Sequence, residues 1–222
     1  MRCSVGTAPT PRSRAVRAVS RTAEVRRSTL TTTVVVRLAL DGRGRANART
    51  GIAGFDGLLE AVASHGRFDL DVEAVTQNPD RAEPDAHRVV VTTAGAFGEA
   101  FARALGPREG VRALGEASVP VAGALVRAAC DLGGRGILEY HAAPPAWQMI
   151  GDYDVSLTPE FWQAFAAEAR VTLHLDRVRG EQGRQVTQAT YAAAAQALAS
   201  GAERDPRIAP AGGARETGGA GR

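Results

Sequence analysis

The sequence predicts an α+β fold made by tandem duplication of a half-domain, each half carrying several strands and two helices. Three observations point there. A helix–strand–turn–helix order occurs twice, from Phe55 through Arg67-Phe68-Asp69-Leu70 to His87 and from Phe161 through Leu173-His174-Leu175-Asp176 to Arg184. The helix starts are 106 positions apart and the later helices 97, an offset pair that duplication with a longer first-half loop produces. Hydrophobic residues make up 44% of a 222-residue chain, enough for a real core, yet either half alone has too few elements to cover its own faces. The halves, residues 22–107 and 108–207, are therefore expected to pack face to face.

In order, residues 1–21 contain no acid and no sustained periodicity. They read as a disordered extension, the alternative being an Arg- and Ser-rich transit peptide. Residues 23–40 read as strand: a β-branched run from Thr31 to Val36, then alternation to Leu40 before the turn Asp41-Gly42-Arg43-Gly44. Phe55, Leu58, Leu59 and Val62 fall at helical spacing ahead of His65-Gly66, and a strand is expected over 68–75. A polar loop over 76–86 enters a second helix running from His87 to near Leu105, stopped by Gly106-Pro107. Strands follow near 117–121, 126–131 and 137–141, the last pair separated by Gly133-Gly134-Arg135-Gly136. Thr158 is the expected N-cap of a third helix, with Pro159 in its first turn and Phe161, Phe165 and Ala169 as its apolar stripe. A strand over 171–175 and an Ala-rich helix over 186–198 complete the second half, and the Gly- and Ala-rich segment 208–222 reads as a disordered tail.

Composition excludes several classes. No apolar run reaches the roughly 18 residues of a membrane span. A net charge of +3, much of it in the tails, argues against nucleic acid. Cys3 and Cys130 give no disulfide framework, which suits a reducing cytoplasm. Every basic residue is Arg, which grips phosphate in bidentate fashion where Lys offers a point charge.

Several separated motifs, in the same order, resemble the imidazoleglycerol-phosphate dehydratases of histidine biosynthesis. Ala23 to Thr32 is similar to Ala-x-x-x-Arg-x-Thr-x-Glu-Thr. The stretch from Gly51 to Leu70 is similar to Thr-Gly-x-x-Phe-Phe-Asp-His-Met-Leu…His-Gly-x-Phe-Asp-Leu. Gly110 to Gly115 resembles Gly-Ile-x-Arg-Phe-Gly, and residues 131–136 resemble Asp-Leu-Ser-Gly-Arg-Pro. Gly151-Asp152-Tyr153-Asp154 and Leu157-Thr158-Pro159-Glu160-Phe161 match the approach to the third helix, so the resemblance spans residues 23–207. It implies a ribosomal protein S5 domain 2-like fold, with a small mixed or antiparallel sheet in each half. It also implies a trimer-based homo-oligomer with metals at subunit contacts.

The resemblance further implies a hydro-lyase in which six His and two Glu hold two manganese ions. Those ions bind the substrate imidazole and stabilise the anion formed as a carbon proton leaves, ahead of the hydroxyl. On this chain the ligand after Phe-Asp falls on Gly57, and the first His-His-x-x-Glu on His87, Arg88 and Val91. The strand His is His174, and the second His-His-x-x-Glu falls on Arg184, Gln185 and Gln188. The acid/base Glu falls on Thr31, whose hydroxyl is no base at neutral pH. His65 also matches a family His, though not a ligand; as a residue before Gly66 it reads equally as a helix C-terminal cap.

Two of eight donors therefore remain, while catalytic sites need about three protein ligands per ion. Arg88 and Arg184, read as symmetry-related, place permanent positive charge where the ions belong. Manganese is expected to be lost and turnover impaired or absent. Arg112 and Arg135, beside glycine turns, match the family's phosphate grip, so a phosphorylated imidazole or another phosphate ester is the expected ligand. Two alternatives stand beside this reading, an active dehydratase giving imidazole-acetol phosphate and a repurposed phosphate-ester-binding protein.

Overall fold

A computed structural model describes residues 20–76, 85–145 and 148–208. The extension, the centre of the polar loop and the tail from residue 209 lie outside the described residues. At the near edge of the extension, Arg21 is buried and bonds Asp41 and the Ala202 carbonyl, tying the first half to the end of the second.

Two four-stranded sheets share one plan. In the first, β1 (Thr22–Ser28) pairs antiparallel with β2 (Thr32–Ala39), β2 with β4 (Asp69–Thr76), and β3 (Ala46–Arg49) joins β4 in parallel. The second repeats it with β5 (Leu114–Val121), β6 (Ala124–Asp131), β10 (Thr172–Arg179) and the parallel edge strand β7 (Ile137–His141). Each sheet is thus mixed, three antiparallel strands plus one parallel edge. A short hairpin, β8 (Met149–Ile150) and β9 (Tyr153–Asp154), precedes the third helix. Between the sheets lie α1 (Ala53–Gly66), α2 (Ala86–Leu105), α3 (Thr158–Ala169) and α4 (Gly183–Ala202). Helices α1 and α4 pack together, as do α2 and α3, so both helix pairs cross between halves.

The alternation that predicted strands is visible as burial. Val34, Val36 and Leu38 of β2 face the helices, and Val126, Ala128 and Cys130 of β6 do the same in the other half. Cys130 lies in this core, where burial pushes its thiol up to about 12. Helix α4 is buried almost all round at Ala192, Ala193, Ala194 and Ala195, which is why its sequence is Ala-rich rather than amphipathic.

Several expectations are corrected. Residues 23–40 form a hairpin, not one strand, because the Thr29 hydroxyl accepts from the Thr32 amide at 3.1 Å while the Thr29 amide donates to the Thr32 carbonyl at 2.8 Å. Thr158 lies inside α3, with Leu157 at the cap; its buried hydroxyl pairs with the Tyr153 hydroxyl at 3.1 Å instead of closing the helix end. The last helix starts at Gly183, and β3, β8 and β9 were not foreseen.

The repeat itself is confirmed with a different offset. Helices α1 and α3 end at left-handed Arg67 (φ 54°) and Arg170 (φ 53°), 103 positions apart. With that offset, buried Phe55, Leu58, Leu59, Val62, Ala63 and Gly66 map onto buried Thr158, Phe161, Trp162, Phe165, Ala166 and Ala169. Phe55 thus corresponds to Thr158; matching the two phenylalanines hid this. Helices α2 and α4 superpose at 97, and the shortfall of 6 is the difference between a Thr76-to-Ala86 connection of 10 positions and an Arg179-to-Gly183 connection of 4.

Close approach of α2 and α3 requires glycine: a Cβ at Gly98 would stand 2.5 Å from the Phe165 carbonyl oxygen. Gly98→Ala is expected to destabilise the fold by about 1–3 kcal/mol through overpacking. Gly57→Ala, at an exposed helix position where a Cβ meets nothing within 4 Å, is expected to stabilise it by about 0.5–1 kcal/mol. Urea unfolding of both variants measures the opposite signs.

Candidate functional site

The structure gathers the sequence-picked residues into two equivalent clusters, each where two helices begin. One lies between the N-termini of α2 and α3. His87 stands in the first turn of α2, and its Nε2 is hydrogen-bonded to a carboxylate oxygen of Glu160 on α3. Val91, one turn on, lines the same cavity of about 520 Å³, with Leu138, Tyr140, Gln163 and Ala164. Burial keeps the Tyr140 phenol well above its ordinary pKa, so it is a neutral wall. Asp85 caps α2, its carboxylate accepting from the Arg88 amide at 3.2 Å, and it draws the Arg88 guanidinium to 3.5 Å.

The other cluster lies between the N-termini of α1 and α4. Gly57, Arg184 and Gln188 line a cavity of about 490 Å³ with Leu58, Ala61 and Ile150. Gln185 points elsewhere, accepting from the Gly123 amide at 3.2 Å and donating to Gln182 at 2.7 Å. The offset of 97 sets Arg184 on His87 and Gln188 on Val91; the offset of 103 sets Gly57 on Glu160. Arg88 therefore corresponds to Gln185, and the two arginines are one residue out of register rather than symmetry-related. Glu160 escaped the sequence reading, and the signal that finds it is the burial-matched offset.

The remaining picks are dispersed. His174 is exposed on the outer face of the second sheet, opposite Ala129 and Glu139, whereas Leu138 and Tyr140 of the neighbouring strand line the His87 cavity from the inner side. His87 and His174 thus lie on opposite sides of the second sheet. His65 does not close α1, since Arg67 is the cap; its Nδ1 lies 3.3 Å from Gln196 Nε2 on α4. Thr31 sits in the β1–β2 turn. Arg112 pairs with Glu203 at 3.0 Å, just beyond the end of α4. Since α4 has 20 residues, Arg112 lies roughly 30 Å from Arg184 along the α4 axis. Arg135 is exposed ahead of β7, at the opposite edge of the sheet from Arg112, a separation of roughly 14 Å by strand spacing. Within one chain Arg112 stands apart from the helix-start cavities, whereas Arg135 precedes Gly136, which packs against Ala167 at the edge of the His87 cavity.

Among the described residues no group of three or more His, Cys, Asp and Glu is placed to hold a metal ion. His87 is already bonded to Glu160, His174 faces away, and the cavity equivalent to that of His87 presents a guanidinium. Within one chain the described donors therefore assemble no cage for a two-manganese centre.

Two four-stranded sheets enclosing four helices, with paired helix starts, define a duplicated half-domain protein. A family model described as imidazoleglycerol-phosphate dehydratase matches residues 50–198. The chain is 43% identical over 188 residues to the imidazoleglycerol-phosphate dehydratase of Thioalkalivibrio sulfidiphilus, covering 85% of this chain and 93% of that protein. It is 41% identical over 203 residues to the one from Polaromonas, covering 91% and 93%. The fold matches the crystal structure of the Staphylococcus aureus imidazoleglycerol-phosphate dehydratase with a TM-score of 0.71 at 21% identity, over 82% of this chain and all of that one. The Pyrococcus furiosus structure, in complex with (S)-C348, gives 0.66 at 22% identity, over 82% of this chain and 96% of that one. The chain belongs to the imidazoleglycerol-phosphate dehydratase family.

Asp152, in the β8–β9 turn, accepts from the Gly54 amide at 2.7 Å and the Ala53 amide at 2.9 Å, so the second half closes the start of α1. The Gly54 bond leads in holding its carboxyl below the usual carboxylate range. A carboxylate with a depressed folded-state pKa contributes stability above its unfolded value, about 4, and loses it as pH falls through the folded value. The stability gap between wild type and Asp152→Asn is expected to be full at neutral pH and to shrink below about pH 4; denaturant titrations across pH 2–7 measure it.

Proposed function

We propose that this family member binds a phosphate ester without two-metal turnover. The observation that carries the reading is the donor count: His87 and His174 are what remains of eight metal positions, and Arg184 stands where the duplicated counterpart of His87 belongs. A dication needs deprotonated, uncharged or anionic donors, and a guanidinium supplies neither. Without such a cage the anion left by carbon-proton removal has no metal to stabilise it, and Thr31 offers no carboxylate to take the proton. Arg135, exposed and free of ion pairs among the described residues, is the phosphate contact this reading favours, with Arg112 joining once it leaves Glu203. The distance of Arg112 from the helix-start cavities supports a site completed by neighbouring subunits, hence a homo-oligomer built on trimers. In this reading the protein is cytoplasmic and its two halves are residues 22–107 and 108–207.

A second reading, a working imidazoleglycerol-phosphate dehydratase that places the chain in histidine biosynthesis, is favoured by the names of its relatives. Proteins 41–43% identical over most of this chain bear that name. Metal analysis of the purified protein with a dehydration assay separates the two. The first reading expects no retained manganese and no imidazole-acetol phosphate; about two ions per chain with turnover establishes the second. If phosphate-ester binding is retained, Arg135→Ala is expected to weaken it about tenfold by calorimetry, and unchanged binding removes Arg135 from the site.

A further inference from the structure

The duplication supplies an internal reference for the cavity between α1 and α4. In the cavity between α2 and α3, the basic group that α2 offers, His87, is satisfied by Glu160 on α3. In the cavity between α1 and α4, Arg184 takes the His87 position and Gly57 the Glu160 position, so the base is kept and its acid is missing. Among the described residues the Arg184 guanidinium makes no ion pair and no hydrogen bond, and its backbone amide donates to the Gln148 side-chain oxygen at 3.4 Å. Gln188, one turn along α4 on the same face, lines the same cavity. A Cβ at Gly57 would meet nothing within 4 Å, so the space that Glu160 fills in the other half is open here. Leu58, Ala61 and Ile150 give that space apolar walls.

We propose that this cavity binds a small carboxylate with a short alkyl tail, held by the Arg184 guanidinium and the Gln188 amide. The ligand's carboxylate takes the place that Glu160 fills from within the chain on the other side. A guanidinium stays charged at any working pH and meets a carboxylate through two parallel N–H···O bonds, while an amide N–H of Gln188 supplies a third donor. The apolar walls favour an alkyl carboxylate over a hydrated inorganic anion, whose outer oxygens would lose water against Leu58 and Ile150. The site is independent of the phosphate reading, because Arg112 lies beyond the far end of α4 and Arg135 beside the other sheet edge.

Calorimetric titration of the full chain with sodium butyrate tests the proposal, with inorganic phosphate as the second arm. One saturable butyrate site is expected. Its affinity should fall at least about tenfold in Arg184→Gln, fall to a lesser degree in Gln188→Leu, and stay unchanged in Arg135→Ala. Gly57→Glu, which installs the missing in-chain acid where there is room for it, should abolish butyrate binding while thermal melting shows an intact fold. Equal affinity in wild type and Arg184→Gln, no saturable butyrate binding in wild type, or saturation by phosphate in preference to butyrate would each overturn it.

Discussion

The structure depends on a helical layer that neither half owns. Each four-stranded sheet has one apolar face, and both faces are buried by helices whose closest partners belong to the other half. Phe97 of α2 meets Phe165 of α3 with ring centroids 4.9 Å apart, and Phe161 of α3 meets Tyr191 of α4 at 5.1 Å. Arg27 on β1 reaches Glu168 of α3 at 3.0 Å and Glu99 of α2 at 3.1 Å, and the Glu168 bond leads in raising its pKa. A duplicated half-domain persists in this form because half of its core would face water if the copies parted.

That shared layer also fixes where chemistry can occur. Packing α1 on α4 and α2 on α3 brings helix starts together in pairs, and each pair opens a cavity whose lining comes from two elements far apart in sequence. One buried polar cluster behind them is satisfied locally. Tyr153, whose phenol burial pushes up to about 12, bonds Thr158 and Tyr191 at 3.1 Å each. The exposed cavities carry no such constraint, which is why one can hold a His–Glu pair and its counterpart an Arg facing a glycine. The scaffold tolerates that exchange because neither Gly57 nor Arg184 contributes to the core.

Family membership and fold follow from features spread over the chain, so divergence at a few cavity positions leaves them legible. The site is harder to read. The offset of 106 matched Phe55 with Phe161 by residue type, whereas burial and the left-handed helix ends match Phe55 with Thr158. A threonine can fill a phenylalanine's position only because Tyr153 reaches in, stacking on Phe55 with centroids 5.5 Å apart and bonding the Thr158 hydroxyl. The same slip concealed Glu160 as the counterpart of Gly57, while the offset of 97 between the later helices sets Arg88 on Gln185 and not on Arg184.

By itself the sequence determined the duplicated α+β plan, the family and the core faces. These depend on periodicity and on ordered local motifs, which a linear chain records directly. Only the tertiary structure decided that His87 is taken up by Glu160, that His174 faces the other side of the sheet, and that Arg184 looks into an open cavity. Each of those facts depends on which helix start meets which. That pairing is set by burying two sheets on a common helical layer, through contacts about a hundred residues apart along the chain.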